Sequence, residues 1–196
     1  MMLYYERKYK RKGYKLIAGV DEAGRGPLAG PVVSAAVILK SVSFKNRIDD
    51  SKALSAKQRE SAYIEIRQKA FVGVGIVDEK LIDKVNILQA TRLSMKLAVS
   101  FLPVAPEFVL VDGNSPIDIE MPFDNIIDAD AKSLSVASAS IIAKVTRDRI
   151  MAIYHKLWPE YGFSRHKGYG TKEHIDVLRK IGPSPIHRAT FKYVSL

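Results

Sequence analysis

LIAGVDEAGRGPLAGPVVSAAVIL, residues 16–39, is the stretch that decides how the chain folds. An apolar run leads into two adjacent carboxylates, Asp21 and Glu22, and a second apolar run follows Pro31. Both runs predict strands, and the short glycine- and proline-rich turn between them predicts that the strands are antiparallel neighbours. The stretch therefore predicts one end of a sheet at which acids, Arg25 and bare backbone lie together.

Length and composition limit the class of protein. A chain of 196 residues, 47% hydrophobic and 27% charged, predicts one globular domain, with residues 156–196 as a helical or irregular C-terminal extension. There is no cysteine, which excludes disulfides, thiolate nucleophiles and thiolate zinc sites. No apolar run reaches the roughly 20 residues of a membrane span, and the N-terminal residues do not resemble a secretory signal. We expect a cytoplasmic monomer without membrane association.

The net charge of +10 is concentrated at both ends of the chain. Residues 1–15 contain six basic side chains and one acid, and residues 143–196 contain eleven basic side chains and four acids. The central part is slightly acidic. A well-solvated surface is one explanation, but basic flanks around an acidic centre favour a nucleic-acid partner, because each neutralised phosphate adds affinity.

The remaining pattern predicts alternating helices and strands. Further strands are predicted at 70–77, 108–111 and 125–127. Helices are predicted from Ser55 as N-cap to about 68, over 78–101 as one helix or a broken pair, over 132–155, and from Thr171 as N-cap to about 180. Residues 158–170 are predicted as a loop and residues 183–196 as an irregular tail. This order predicts a mixed α/β sheet with helices on both faces.

Acidic residues accompany three of the predicted strands. Asp21 and Glu22 end the first, Asp112 ends the fourth, and Asp130 follows the fifth. If the first and fourth strands are parallel neighbours, their acids meet at the carboxyl end of the sheet. Clustered carboxylates repel one another unless cations neutralise them, and all-oxygen ligands favour Mg²⁺ or Mn²⁺. The alternative is that each acid is a solvated turn residue.

Other kinds of site fit the sequence less well. GRGPLA, residues 24–29, satisfies the dinucleotide-binding pattern, but Pro27, Pro31 and the β-branched run that follows oppose the helix that this pattern must open. No phosphate-binding P-loop and no HExxH spacing occurs. The four histidines are expected to be surface, phosphate-facing or packing residues rather than a zinc site.

Two glycine-containing segments are candidates for substrate contact. Gly24, Arg25 and Gly26 would let backbone approach a ligand while the guanidinium holds a phosphate, although a plain tight turn is equally consistent. Tyr169 lies in the basic segment RHKGYGTK, residues 165–172, and could pack on a sugar or base. A core or surface tyrosine remains the alternative.

The motifs GVDEAGRGPLAGPVV, DSKALS, NILQAT, VDGN, DAKSLSVASASIIAKVTRDR, HKGYGTKEH and GPSPIHR together resemble the type 2 ribonucleases H, ribonuclease HII, in its bacterial form. The resemblance covers residues 16–188. It implies a ribonuclease H-like fold, with a five-stranded mixed sheet flanked by helices and a C-terminal helical portion. It also implies hydrolysis of the RNA strand of RNA/DNA hybrids with two divalent ions, Mg²⁺ or Mn²⁺. Incision on the 5′ side of single ribonucleotides in duplex DNA is implied as well.

The resemblance also assigns roles to individual residues. It implies four catalytic, metal-binding acids: Asp21, Glu22, Asp112 and Asp130. It implies that Gly24, Arg25 and Gly26 sense the 2′-hydroxyl, that Tyr169 recognises the junction, and that Lys52 contacts phosphate. The family usually has glycine before the last acid, whereas this chain has Ala129. Asp128 and Asp130 are expected to share one face of an extended segment, and the family register favours Asp130.

Two other functions remain to be distinguished by experiment. A nucleic-acid-binding module without catalysis would bind substrate in EDTA and never cleave it. A metal-dependent DNA nuclease or strand-transfer enzyme would act on a duplex that contains only DNA.

Overall fold

A five-stranded mixed sheet forms the centre of the molecule in a computed structural model, which describes residues 2–194. The strands are β1 (Ile17–Ala23), β2 (Val32–Leu39), β3 (Ala70–Val77), β4 (Phe108–Asp112) and β5 (Phe123–Ile126). Their order in the sheet is β3-β2-β1-β4-β5. Strands β1, β2 and β3 are antiparallel, whereas β4 and β5 run parallel to β1. The predicted mixed sheet and the antiparallel pairing of its first two strands are confirmed.

Seven helices surround this sheet within residues 2–194. They are α1 (Tyr4–Arg11), α2 (Ala56–Lys69), α3 (Glu79–Val85), α4 (Ile87–Ser100), α5 (Leu134–Leu157), α6 (Phe163–His166) and α7 (Lys172–Ile181). Helices α1, α2 and α5 cover one face of the sheet, and α4 covers the other. Both faces are therefore covered, which explains why the inner strands β2 and β4 are apolar and buried without regular alternation. No helix in the described part of the chain is long and apolar enough to cross a bilayer.

The long helix α5 lies unusually close to β1. A Cβ atom on Gly19 would lie only 2.3 Å from the carbonyl carbon of Ser135 and from the nitrogen of Val136. The backbone at the start of α5 therefore packs directly on the sheet. Because α5 runs alongside β1, it brings Ser140 next to Asp21 and Arg147 behind Gly24.

Two helix starts confirm the sequence prediction, and two segments differ from it. Ser55 caps α2 and Thr171 caps α7, each through its side-chain oxygen. The region predicted as one helix or a broken pair is a pair, because Asn86 takes a positive φ of 69° and its side chain caps α4. The predicted loop over 158–170 is wrong, since it contains a 3₁₀ turn at Pro159–Tyr161 and the short helix α6.

The C-terminal segment packs against the glycine-rich turn after β1. Leu28 and Ala29 share a buried cluster with Met151 of α5 and with Phe163, Leu178 and Ile186. The backbone N–H of Gly30 donates to the carbonyl of Ile186, and that of Arg188 donates to the carbonyl of Leu28. Residues 183–194 contain no helix or strand, as predicted, and residues 195–196 lie outside the described part. The tail thus forms one wall of the turn.

Candidate active site

Three of the four predicted acids lie at the carboxyl end of two neighbouring strands. Asp21 and Glu22 lie inside β1, which continues to Ala23, so the prediction that they end this strand is wrong by one residue. Asp112 is the last residue of β4. The parallel register pairs Val20 with Val111, so Asp21 and Asp112 follow side by side. Parallel pairing alone therefore brings these carboxylates together.

The fourth acid, Asp130, reaches the same place from a short 3₁₀ turn, Ala129–Ala131. The backbone N–H of Ala129 donates to Asp112 Oδ1 at 2.7 Å, and this bond fixes the turn against the end of β4. Asp128 has the left-handed φ of 54° and is exposed, whereas Asp130 is buried. The expectation that both acids share one face of an extended segment is therefore wrong, because the backbone turns between them. Of the two, Asp130 is the buried acid beside Asp112, while the charge of the exposed Asp128 still helps to raise the pKa of Asp112.

Burial, together with repulsion from neighbouring acids, raises the pKa values of all four acids. Burial, followed by the charges of Glu22 and Asp112, raises the pKa of Asp21 well above its ordinary value. Burial likewise raises the pKa of Glu22 and of Asp112. For Asp130, burial and the charge of Asp112 raise the pKa to about 6. Each carboxylate is thus costly to ionise next to the others, and a bound cation would remove that cost.

The donors suit a hard divalent cation, but they do not form a closed cage. Within residues 2–194, no three histidine, aspartate or glutamate side chains are arranged closely enough to hold a metal ion by themselves. Carboxylate oxygens are nevertheless the ligands that Mg²⁺ and Mn²⁺ prefer. The acids therefore fit divalent cations by their chemistry and leave coordination positions for water or substrate oxygens.

Lys52 lies beside the acids. Burial alone would lower its pKa, but the surrounding charges of Asp50, Asp130, Asp21 and Asp112 outweigh burial and raise it. Its segment is tied to the site because the hydroxyl of Ser51 lies 2.9 Å from that of Ser140, the α5 residue beside Asp21. Lys52 is exposed and lies next to the carboxylates, so its ammonium group is accessible to a phosphate at this site.

The predicted substrate-contacting residues also lie together. The guanidinium of Arg25 forms an ion pair with Glu22 at 3.3 Å, directly beside the acids. The ring of Tyr169 lies over Gly26, because a Cβ atom there would be 3.7 Å from Tyr169 Cε1. Tyr169 is 44% exposed, so its ring is available to a ligand. The Gly24–Gly26 turn and Tyr169 thus form one surface next to the carboxylates.

Two buried arginines hold this turn from behind. Arg188 donates to the carbonyls of Gly24, Arg25 and Gly30 at 2.6–3.0 Å. Arg147 donates to the carbonyls of Pro31, Lys167 and Ala29 at 2.9–3.0 Å. Burial lowers the pKa of Arg147 to about 10 and that of Arg188 to about 9, so both remain charged at neutral pH. Neither forms a salt bridge within residues 2–194, so their charge adds to the positive potential behind the turn.

Gly24 allows this arrangement. Its φ of +100° is unfavourable for any side chain, and a Cβ atom would lie 2.2 Å from Arg147 Nε. This segment is therefore more than a plain tight turn, because its backbone packs closely against the buried guanidinium of Arg147.

We predict that Arg188→Lys lowers thermal stability. A single ammonium group cannot serve the carbonyls of Gly24, Arg25 and Gly30 in the geometry of the guanidinium fork. Each buried carbonyl left unpaired costs about 1–3 kcal/mol, and a chain of this size loses roughly 2–4 °C in Tm for each kcal/mol. Calorimetry should show this drop, whereas the exposed Arg149→Lys should unfold like the unmodified protein. An unchanged Tm for Arg188→Lys would show that the turn does not depend on this arginine.

Sequence reasoning missed Arg147 and Arg188. No local pattern marks an arginine as fully buried, since its partners are carbonyls distant in the sequence. His166, His174 and His187 are buried, so the packing alternative was correct for these three. Their only signal in the sequence was their place in the motifs HKGYGTKEH and GPSPIHR.

Known proteins resemble this chain in sequence and in fold. The family described as Ribonuclease HII matches residues 18–194. The chain is 55% identical to a ribonuclease HII of Acetivibrio thermocellus, over 97% of this chain and 75% of the relative. It is 51% identical to that of Geobacter sulfurreducens, over 97% of this chain and 88% of the relative. The crystal structure of ribonuclease H2 from Pyrococcus horikoshii OT3 superimposes with a TM-score of 0.76 at 29% identity, covering 92% of this chain and 96% of that one. The expected ribonuclease H-like fold is confirmed.

Proposed function

Because the chain belongs to the ribonuclease HII family, endoribonucleases that act on RNA/DNA hybrids, we propose that it also incises duplex DNA at single embedded ribonucleotides. The incision falls on the 5′ side of the ribonucleotide and leaves 3′-hydroxyl and 5′-phosphate ends. The observation that supports this best is the contact of the Gly24–Gly26 turn with the carboxylates on one side and with Tyr169 on the other.

Asp21, Glu22, Asp112 and Asp130 are the residues that would hold Mg²⁺ or Mn²⁺. When bound, two such ions supply activation of the attacking water and stabilisation of the leaving 3′-oxygen. The contribution of the chain is to fix the acids in place. Asp21 and Asp112 are held by the β1–β4 register, and the turn that carries Asp130 is held by the bond from Ala129 to Asp112.

The Gly24–Gly26 turn is suited to detect a 2′-hydroxyl. Arg188 binds the carbonyls of Gly24 and Arg25 on the inner side of the turn. In a trans peptide the N–H points opposite to the carbonyl, so the N–H groups of Arg25 and Gly26 are directed away from Arg188. Arg25 and Gly26 are exposed, and both N–H groups can bind a substrate oxygen. The 2′-hydroxyl is the group that distinguishes a ribonucleotide from a deoxyribonucleotide.

Basic residues surround this surface and would hold the duplex. Lys52 lies beside the acids, and Lys167 and Lys172 flank the loop that carries Tyr169. Phosphate contacts of this kind position a nucleic acid without reading its sequence. The arrangement therefore supports recognition of the sugar rather than of particular bases.

A panel of matched duplexes tests the proposal. An RNA/DNA hybrid, a DNA duplex with one ribonucleotide and an all-DNA duplex, identical in sequence, are each incubated with Mg²⁺, Mn²⁺ or EDTA. We expect cleavage of the first two with either metal and no cleavage in EDTA. Cleavage of all-DNA duplex would instead favour a general DNA nuclease, and binding without cleavage would favour a non-catalytic module.

A further inference from the structure

Three histidines form a buried group behind Tyr169. The rings of His166 and His174 stack with their centroids 4.4 Å apart, and His174 Nε2 lies 2.9 Å from His187 Nε2. All three side chains are at most 9% exposed. None forms a salt bridge or belongs to a metal-binding group among the described residues. Besides packing on Tyr161 and Phe163, these rings form hydrogen bonds through their nitrogen atoms.

The position of the proton on His187 follows from its neighbour Ser184. The backbone N–H of Ser184 lies 2.9 Å from His187 Nδ1, and the hydroxyl of the same serine lies 2.8 Å from this atom. A backbone N–H can only donate, so Nδ1 accepts and has no proton. The proton of the neutral ring must then be on Nε2, which points at His174.

The same reasoning extends to His174. Its Nε2 accepts from His187, so its own proton is on Nδ1, which lies 2.9 Å from the carbonyl oxygen of Tyr169. Burial lowers the pKa of His174, and burial together with the charge of His174 lowers that of His187 to about 4. Both rings are therefore neutral at pH 7. The result is a directed chain of hydrogen bonds from Ser184 through His187 and His174 to the Tyr169 backbone, which we call the histidine relay.

The Ser184–His187 end of the relay lies in the C-terminal segment that holds the glycine-rich turn. His187 pairs with Ala29 in an isolated β-bridge, and the next residue, Arg188, binds the carbonyls of Gly24 and Arg25. At the Tyr169 end, the backbone N–H of Tyr169 donates to the carbonyl of His166 at 2.9 Å. The relay therefore connects the backbone of the exposed tyrosine to the segment that shapes the Gly24–Gly26 turn.

We propose that His174 and His187 are positioning residues that fix Tyr169 relative to the Gly24–Gly26 turn and so set selectivity for a single ribonucleotide. This rests on the proposed function, in which both elements contact the substrate at the junction. Neither histidine touches the substrate. If the rings only filled space, a phenyl ring of similar size would replace His174 without consequence.

The test compares variants by selectivity, the ratio of kcat/KM on a single-ribonucleotide duplex to kcat/KM on a long hybrid. His174→Phe keeps an aromatic ring but cannot donate to Tyr169, and its selectivity should fall at least about 5-fold, the equivalent of one hydrogen bond. His187→Leu should behave similarly. His187→Gln, whose amide can donate to His174, should retain most of the selectivity. Ile66→Ala, a buried change in another cluster, controls for general destabilisation and should leave selectivity unchanged.

Nitrogen NMR of the imidazole rings tests the relay without measuring activity. The unmodified protein should show His174 protonated on Nδ1 and His187 protonated on Nε2. The opposite tautomers, or unchanged selectivity in both His174→Phe and His187→Leu, would overturn the proposal. In that case a loss of selectivity in Tyr169→Ala would still support the proposed function. Unchanged selectivity in Tyr169→Ala, with the expected tautomers present, would instead contradict the role of Tyr169 at the junction and, with it, the role of the relay in selectivity.

Discussion

The Asp21→Asn protein is expected to lose cleavage of RNA/DNA hybrids by more than about 100-fold, since even residues that only support a metal ligand commonly contribute 10–100-fold. Asp21 is buried beside Glu22 and Asp112, the centre of the proposed cation site. The amide keeps the shape of the side chain but removes the charge that attracts a cation. Initial rates on a long hybrid with saturating Mg²⁺ measure the effect.

This loss should not result from unfolding. The pKa of Asp21 is raised in the folded protein, so its carboxyl group lowers stability increasingly as the pH rises from the ordinary pKa of an aspartate to the raised pKa, and the cost is constant above that. A neutral amide removes the cost, so the Tm of Asp21→Asn in EDTA should equal or exceed that of the unmodified protein. The same substitution at the exposed Asp118 serves as control and should leave cleavage unchanged. Near-normal cleavage by Asp21→Asn would contradict the cation site.

The Tyr169→Ala protein is expected to lose about 10- to 100-fold in kcat/KM on a duplex with one ribonucleotide, and clearly less on a long hybrid. Stacking of an aromatic side chain on a nucleotide contributes about 1–3 kcal/mol, which gives this range. A long hybrid offers many positions for cleavage and many phosphate contacts, so it depends less on one ring. The measurement is the pair of kcat/KM values on the two substrates at one salt concentration.

A matched control is available on α1, which packs at the start of β4 rather than at the carboxyl end that carries the acids. Tyr4 is an exposed tyrosine on α1, the helix that packs against Phe108 at the start of β4. Tyr4→Ala should therefore leave both kcat/KM values unchanged. Equal losses on the two substrates for Tyr169→Ala would argue against a role at the junction and for a general role in holding the duplex.

Local signals explain which parts of the fold could be predicted from the sequence. The antiparallel pair β1–β2 follows from two apolar runs joined by a short turn, and the caps Ser55 and Thr171 satisfy backbone N–H groups only three residues ahead. The sequence did not decide between one helix and a broken pair at 78–101, because the apolar spacing continues across Asn86 and does not reveal the positive φ of this residue.

The candidate site was predictable only in its outline. Acids near the ends of β1 and β4 are visible in the sequence, and so are the glycine-rich turn at Gly24–Gly26 and the basic segment that contains Tyr169. The orientation of Asp128 was predicted wrongly because nothing in the local pattern indicates a left-handed residue there. The supports of the turn depend on hydrogen bonds that cross more than 100 residues of sequence, from Arg147 to Pro31 and from Arg188 to Gly24.

Mapping the cut on a DNA duplex with one ribonucleotide tests the central claim most directly. The product ends are located at single-nucleotide resolution, and extension by a DNA polymerase reports a free 3′-hydroxyl. We predict one cut, on the 5′ side of the ribonucleotide, with an extendable 3′-hydroxyl, in Mg²⁺ or Mn²⁺ but not in EDTA. A cut on the 3′ side, or no cut while a long hybrid is cleaved, would contradict recognition of a single ribonucleotide by this site.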